Sequence, residues 1–297
     1  MKNYRSLIAF AGLSVALFLA AEASTRIFGL TSFPIYIRDP KIGYYPAPNQ
    51  SGAFLRRNRW FINDRGFEND RPFVVSHPSA MLVGDSVVYG GNPVDYEQRI
   101  EAIATKKWKG RIWVASAGGW SLLNEIAFLH THMHELNSVD RLIFILNNGD
   151  FGPPAAWTGE LAFPTRRPSV ATLYLFRRYI LPHPSELPMI SVEDDKASQS
   201  LWSAEFSKLL MTTHAPITII LYPDQNDLKD GALWNSDTAA IRRYVAAHSN
   251  RMAITDLRAD PRWNKSLYRD SIHPNLIGNK FLAEIVTDIC RKNSPSE

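Results

Sequence analysis

The sequence SAMLVGDSVVYGGN occupies residues 79–92 and decides how the rest of the chain is interpreted. Its apolar run 80–83 is long enough for a buried strand of a parallel sheet, and the segment 93–107 has a helical pattern. The triplet GDS at 84–86 predicts a sharp strand-to-helix turn that presents Ser86 at the carboxyl edge of the sheet. A hydroxyl there suits a nucleophile, because a helix N-terminus favours developing negative charge. The same triplet also suits a plain strand end with a capping serine.

A second motif near the end of the chain supplies partners for a nucleophilic serine. Residues 270–275 read DSIHPN and precede an apolar helical pattern over 276–289. A serine nucleophile needs a base that accepts its proton and a carboxylate that orients the base. His273 and Asp270 lie three residues apart on one loop and provide both groups. The two motifs together predict a Ser86–His273–Asp270 triad.

Four sequence blocks, in this order, resemble those of the SGNH (GDSL) hydrolases. They are GDS at 84–86, a glycine pair at 118–119, NNGD at 147–150 and DxxHP at 270–274. The resemblance covers roughly residues 78–292, and a late DxxHP before a final helix makes the short GDS block specific. It implies a serine hydrolase of carboxylic esters that works through an acyl-serine and uses no cofactor and no metal.

The resemblance also implies hydrogen-bond donors for a tetrahedral oxyanion. One is the backbone N–H of Ser86, and another is a glycine N–H after the second strand. We expect Gly119 rather than Gly118 to serve, because Gly119 directly precedes the segment in which the next helix starts.

The third oxyanion donor is where the sequence departs from the family pattern. The family block reads Gly-x-Asn-Asp, and an ungapped match places Gly149 where the asparagine is expected. Asn148 is predicted to reach the same place after a one-residue shift of the turn, and Asn147 less easily. If neither does, only backbone donors remain.

Strands alternate with helices through the main part of the chain. The predicted strands are 80–83, 111–115, 142–146, 217–221 and 253–257, and the predicted helices are 93–107, 121–136, 201–213, 237–248 and 276–289. This alternation predicts a flavodoxin-like three-layer α/β/α domain over 79–292 with a parallel five-stranded sheet, preceded by an N-terminal membrane segment. The proline-rich segment 151–200 is interpreted as an insertion that shapes the substrate cleft.

Residues 1–30 predict a signal peptide or a signal anchor. Lys2 and Arg5 precede an uncharged run at 7–21, and the AEA at 21–23 resembles a cleavage site. We favour an uncleaved anchor, because the partly apolar pattern continues beyond that site. The basic flank holds the N-terminus in the cytoplasm, so the catalytic region is expected outside it, tethered to a bacterial inner membrane and facing the periplasm.

Residues 31–78 are rich in proline, aromatic and turn residues, which predicts an accessory lead-in of short strands and loops. The pattern resembles the lead-in of membrane-anchored SGNH proteins of bacterial envelopes. Exposed aromatic rings there could stack on sugars, but we favour the interpretation that they seal the edge of the sheet.

The charge and the cysteine and histidine content limit which partners and metal sites are expected. The formal net charge is +4, without a dense basic run, so no nucleic-acid partner is predicted. Cys290 is the only cysteine, which excludes an internal disulfide and zinc sites built on cysteine. Helical spacing would place His130 and His134 on one face, but no acidic third ligand is in register, and a solvated helix face is favoured over a metal site.

The substrate is inferred from location rather than from a motif. The family includes lipases, thioesterases, carbohydrate esterases and O-acyltransferases, and the fold does not choose among them. A membrane-tethered enzyme outside the cytoplasm favours O-acetyl groups on an envelope or extracellular polysaccharide, with polysaccharide biosynthesis or export proteins as partners. The alternatives are a polysaccharide O-acetyltransferase with the same triad, or a catalytically silent SGNH domain that binds glycan or acts as a scaffold.

Overall fold

The computed structural model describes residues 2–181 and 192–292 of the chain. The strands are β1 Tyr36–Asp39, β2 Gly43–Pro46, β3 Gln50–Phe54, β4 Asn58–Ile62, β5 Ser79–Gly84, β6 Arg111–Ser116, β7 Leu142–Leu146, β8 Ile217–Leu221 and β9 Met252–Asp256. The helices are α1 Lys2–Ile27, α2 Ser86–Tyr89, α3 Ile100–Trp108, α4 Leu122–Thr131, α5 Met133–Leu136, α6 Ala171–Tyr179, α7 Val192–Thr212, α8 Gly231–Asp237, α9 Ala239–Ala247 and α10 Leu276–Arg291. Single 3₁₀ turns lie at Tyr96–Gln98, Asn148–Phe151, Leu257–Ala259 and Lys265–Leu267.

A parallel five-stranded sheet runs through the main domain in the order β6-β5-β7-β8-β9. The order confirms the predicted flavodoxin-like fold. It places the topological switch point, where ligands bind in such sheets, between β5 and β7. Every residue of β5, β7 and β8 is buried. Burial does not alternate along these strands, because helices cover both faces of the sheet.

The two faces of the sheet have separate cores. On β7, Phe144 packs into one core with residues of α4 and α7, whereas Ile143 and Ile145 pack into the other with residues of α3 and α10. Alternate side chains of a strand point to opposite faces, so one short apolar run supplies both layers.

The lead-in forms two separate antiparallel hairpins, β1 with β2 and β3 with β4. Five of its aromatic side chains are buried, namely Phe33, Tyr36, Tyr44, Trp60 and Phe67. These rings therefore contribute to packing, in agreement with the sealing interpretation. The division of the chain into lead-in, main domain and insertion stays a prediction.

Several predicted helices have other bounds in the structure. The helix expected over 93–107 begins only at Ile100, as α3, after the 3₁₀ turn at Tyr96–Gln98. The turn that directly follows the nucleophile, α2, ends before Gly90, which has a φ of +68°. The support expected from a long helix behind Ser86 is therefore reduced to the N–H groups of one turn. The helix expected over 121–136 is interrupted at His132, whose two ring nitrogens lie 3.0 Å from the carbonyl oxygens of Phe128 and Arg65.

Helix α1 is exposed and contains a stretch, Ser6–Ile27, that is long and apolar enough to cross a membrane, with a mean hydropathy of 1.9. This confirms an apolar N-terminal helix, and both a signal peptide and an anchor have this character. Within the predicted insertion, the structure describes α6 and the start of α7, while residues 182–191 lie outside the described ranges.

Candidate active site

The structure brings the three predicted triad residues together at the carboxyl edge of the sheet. Ser86 directly follows the end of β5 and its Asp85 cap, and its Oγ lies 3.0 Å from His273 Nε2. The other ring nitrogen of His273, Nδ1, lies 3.0 Å from both carboxylate oxygens of Asp270. A proton on Nδ1 directed at the carboxylate leaves Nε2 free to accept the Ser86 proton.

The loop that carries Asp270 and His273 is held by its own backbone. Asp270 Oδ1 accepts the N–H groups of Ile272 at 3.1 Å and His273 at 2.8 Å. Burial alone would raise the pKa of Asp270, but these hydrogen bonds and the contact with the His273 ring outweigh it and lower the pKa. Asp270 is thus kept ionised, as a carboxylate that stabilises an imidazolium should be. The Tyr222 hydroxyl donates to the Ile272 carbonyl and anchors the loop to the end of β8.

The turn at the nucleophile explains why its residues are Gly-Asp-Ser. A Cβ on Gly84 would lie 2.4 Å from a methyl group of Val88 and 3.1 Å from the Ile145 carbonyl oxygen, so no larger residue fits there. Asp85 is buried and caps α2, since its Oδ1 accepts the Val87 N–H at 2.8 Å. Together these contacts hold Ser86, which stays partly exposed, at the edge of the sheet.

The glycine pair after β6 lies beside the nucleophile. A Cβ on Gly118 would lie 4.0 Å from Ser86 Cβ, while one on Gly119 would lie 3.1 Å from the Tyr44 hydroxyl oxygen. Gly119 has a φ of +76°, which favours glycine. Gly118 is thus the member that faces Ser86, and the backbone donor role predicted for Gly119 stays a prediction.

The two asparagines after β7 have different partners. The Asn148 amide donates to Asp227 Oδ1 at 3.1 Å, and Asn148 lines a separate cavity with Phe151 and Trp202. The Asn147 amide donates to Asp85 Oδ2 at 3.2 Å, and that same oxygen lies 3.4 Å from Ser86 Oγ. The structure therefore brings Asn147 next to the nucleophile, whereas the role predicted for Asn148 gains no support from its contacts.

Local capping explains this orientation of the Asn-Asn-Gly-Asp block. Asn147 Oδ1 accepts the Gly149 N–H at 2.8 Å, and Asp150 Oδ2 accepts the Asn147 N–H at 2.7 Å. This reciprocal cap on the 3₁₀ turn points the Asn147 amide inward toward Asp85. Gly149 itself is exposed.

A group of three buried carboxyls lies behind the nucleophile, and sequence reasoning did not identify it as a group. Burial raises the pKa of Asp85, and burial together with charge repulsion from Asp85 raises the pKa values of Glu125 and Asp150 well above their usual range. Neither carboxyl oxygen of Glu125 has a hydrogen-bond partner in the described part of the chain. Burial without a partner therefore favours the neutral form of the Glu125 carboxyl. Its inward position in α4, beside Ile126 and Leu129, was the available signal.

The lead-in and the insertion both reach the edge of the site. The Tyr44 hydroxyl donates to the Gly118 carbonyl at 2.7 Å, and its ring stacks on Phe163 with centroids 3.8 Å apart. Asn124 joins the lead-in to the insertion, because its amide donates to the carbonyls of Ile42 and Ala155 at 2.7 and 2.9 Å. Sequence reasoning assigned Tyr44 no role in the site.

The two histidines predicted to share a helix face lie on two separate helical elements. His130 Nε2 lies 3.8 Å from Glu205 Oε2, and His134 belongs to the separate turn α5. Over residues 2–181 and 192–292, no group of three or more His, Cys, Asp or Glu side chains is arranged to hold a metal ion.

No protein-family model and no curated protein sequence matches this chain. Among solved structures, a member of the lipolytic protein G-D-S-L family from Veillonella parvula is similar, with 14% identity over 71% of this chain and 97% of the other, at a TM-score of 0.44. An acetyl xylan esterase from the rumen bacterium Butyrivibrio proteoclasticus has 11% identity over 74% of this chain and 65% of its own, at a TM-score of 0.44. A carbohydrate esterase whose active site displays divergent catalytic and non-catalytic binding functions has 10% identity over 89% of this chain and 84% of its own, at a TM-score of 0.47. Because these similarities are low, the function must be inferred from the residues of the chain itself.

Proposed function

We propose that the protein is a serine-dependent esterase of the SGNH type that removes O-acyl groups, O-acetyl groups in particular, from an envelope or extracellular polysaccharide. The observation that carries the proposal is the continuous chain from Ser86 Oγ to His273 and on to Asp270, each step at 3.0 Å. A serine, a histidine and a carboxylate in this relation constitute the machinery of acyl transfer.

The geometry supports the following steps. Ser86 Oγ attacks the acyl carbonyl carbon while His273 Nε2 takes its proton, and Asp270 stabilises the resulting imidazolium. The oxyanion accepts hydrogen bonds from the Ser86 N–H and from the Gly118–Gly119 turn, with Asn147 as the side-chain donor. The imidazolium then protonates the departing sugar oxygen. Water, deprotonated by His273, attacks the acyl-serine and releases the carboxylic acid and the free Ser86 hydroxyl.

The polysaccharide substrate is proposed from the expected location of the domain. The apolar stretch Ser6–Ile27 of α1 follows two basic residues, Lys2 and Arg5, which would place the domain outside the cytoplasm, in the periplasm of a bacterial envelope. Proteins of polysaccharide biosynthesis or export are the partners that this location would imply. A transferase would use the same triad, with a sugar hydroxyl in place of water at the second step.

A second candidate function is a silent SGNH domain that binds glycan or acts as a scaffold. One observation favours it: Gly149 occupies the position of the family's asparagine, and Asn148 is bound to Asp227. The intact triad favours catalysis.

The test is hydrolysis of p-nitrophenyl acetate by the full chain in detergent, beside Ser86→Ala and His273→Ala. The full chain is needed because the end of α1 contacts the rest of the protein. With circular dichroism unchanged, both variants should lose about 10³-fold or more of kcat, as removal of triad members does elsewhere. Native hydrolysis no faster than that of the variants, together with no trapping of Ser86 by a fluorophosphonate, would refute the esterase and support the silent domain. Trapping without hydrolysis would support the transferase.

A further inference from the structure

Helix α6 presents an apolar face to the outside of the protein. Its inner face is buried through Ala171 and Tyr174. Five large apolar side chains on the outer face and just beyond the helix end are exposed by the following fractions: Leu173 51%, Phe176 47%, Tyr179 63%, Ile180 68% and Leu181 45%. A soluble surface rarely groups so many large apolar side chains on so short a segment without a partner for them.

Glu22 fixes the position of α6 along the axis of α1. Glu22 is the first charged residue after the uncharged run of α1, so it marks where a membrane-crossing α1 would leave the hydrocarbon. Its carboxylate accepts the N–H groups of Ala171 at 2.9 Å and Thr172 at 2.8 Å, and also the Thr172 hydroxyl at 3.0 Å. Glu22 thus caps the N-terminus of α6 and places α6 beside the end of the apolar stretch.

Basic groups surround this junction. Arg26 pairs with Glu22 and donates to the Ser169 carbonyl at 2.8 Å, and Arg56 donates to the Ile27 carbonyl at 2.7 Å. Arg177 lies exposed on α6 itself. Three arginines, Arg26, Arg56 and Arg177, outnumber the one carboxylate, Glu22, so these groups together carry a net positive charge. Apolar side chains bordered by arginines match the boundary between acyl chains and anionic headgroups.

We infer that the outer face of α6 is a membrane-binding surface that rests in the interface of an anionic phospholipid bilayer beside α1. The surface is continuous with α1, whose exposed apolar side chains require the same surroundings. Helix α6 then works as a second anchor. Together with α1 it fixes the orientation of the domain relative to the plane of the bilayer.

This orientation has a consequence for the substrate, which rests on the proposed function. The Tyr174 hydroxyl donates to the Leu161 carbonyl at 3.1 Å, and Phe163, two residues later, stacks on the Tyr44 ring that holds Gly118. The catalytic edge is thus joined to α6 by a short, packed segment. It is held near the bilayer, where it would meet acylated glycan that is still attached to lipid or emerging from the membrane.

The first test measures the depth of α6 without using activity. The full chain, with Cys290→Ala, is reconstituted in vesicles of phosphatidylcholine and phosphatidylglycerol that contain spin-labelled phospholipid. A bimane probe is attached at Ile180→Cys or, as a control, at Val75→Cys. Val75 is comparably exposed, at 54%, but lies just before β5 at the opposite edge of the sheet.

The Ile180 probe should be quenched by the spin-labelled lipid several-fold more strongly than the Val75 probe and should emit at shorter wavelength. Equal quenching at the two positions would overturn the inference. So would a blue-shifted Ile180 probe in detergent whose shift depends on protein concentration, since the face would then bind a second copy of the chain.

The second test separates the membrane surface from the catalytic proposal. The substitutions Leu173→Ser, Phe176→Ser and Ile180→Ser change only outer-face side chains. The triple variant should hydrolyse soluble p-nitrophenyl acetate at the native rate but lose at least tenfold activity on an acetylated glycolipid carried in vesicles. If the triple variant matched the native chain on both substrates, the consequence for the substrate would be overturned. If the native chain itself were inactive on both, the esterase proposal would fail, and the membrane surface would be judged by the quenching result alone.

Discussion

The structure separates two neighbouring asparagines that sequence reasoning could not separate, and their alanine variants provide a sharp test. Asn147 donates to Asp85 Oδ2, next to Ser86 Oγ, while Asn148 donates to Asp227. If Asn147 supplies the third oxyanion donor, Asn147→Ala should lower kcat by about 10²- to 10³-fold, equivalent to roughly 3–4 kcal/mol of transition-state stabilisation. Asn148→Ala should change kcat by no more than a few-fold.

The same substitution has a predictable cost in stability. Asn147→Ala removes the side-chain cap on the 3₁₀ turn, worth about 1 kcal/mol, and the hydrogen bond to buried Asp85, worth about another 1 kcal/mol. Since about 1 kcal/mol shifts the Tm of a domain of this size by roughly 2–4 °C, a decrease of about 4–8 °C is expected. The protein should therefore remain folded in an assay at 25 °C.

The assay is p-nitrophenyl acetate hydrolysis by the full chain and the two variants, with thermal unfolding measured on the same samples. KM should change little, because the donor acts on the oxyanion rather than on the bound ester. A large loss of kcat in Asn148→Ala, with native-like kcat in Asn147→Ala, would refute the assignment and restore the sequence prediction. Equal small effects would mean that backbone donors alone stabilise the oxyanion.

Three further predictions concern the triad carboxylate, the glycine turn beside the nucleophile and a buried carboxyl of α3. Asp270→Asn should lower kcat by about 10³- to 10⁴-fold with KM little changed, because an amide no longer holds His273 in the tautomer that accepts the serine proton. Tyr44→Phe should lower stability by about 1 kcal/mol and kcat by a few-fold, since the glycine turn loses its hydroxyl contact, while Tyr45→Phe serves as a control in calorimetry and kinetics. Burial raises the pKa of Glu101 to about 7 despite the attraction of its carboxylate to Arg99. The folded protein therefore keeps a proton on Glu101 that the unfolded chain releases near pH 4.5. As a result, the free energy of unfolding should fall as the pH rises from about 4.5 to about 7. Glu101→Gln should flatten that part of a denaturant-derived stability profile, and an unchanged slope would contradict the buried-proton explanation.

The amino-acid sequence by itself was sufficient to predict the five strands of the parallel sheet and the three residues of the triad. Run 142–146 is apolar at every position and run 217–221 at every position except Thr218, and their extents in the structure agree with those predicted. Asp270 and His273 were recognisable because the spacing of a DxxHP motif is local and survives any rearrangement of the rest of the chain. The alternation of such strands with helices was sufficient to predict a parallel sheet.

Only the tertiary structure decided which side chains surround the nucleophile. Whether the Asn147 or the Asn148 amide faces Ser86 depends on a 3₁₀ cap and on contacts with Asp85 and Asp227, which lie far away in the sequence. A shift of the turn by one position exchanges which of the two side chains points inward. The local conformational preferences of the residues are the same in both arrangements and do not distinguish them. The position of Tyr44 at Gly118 and the exposed face of α6 likewise follow from packing between distant segments, and sequence periodicity carries no record of those contacts.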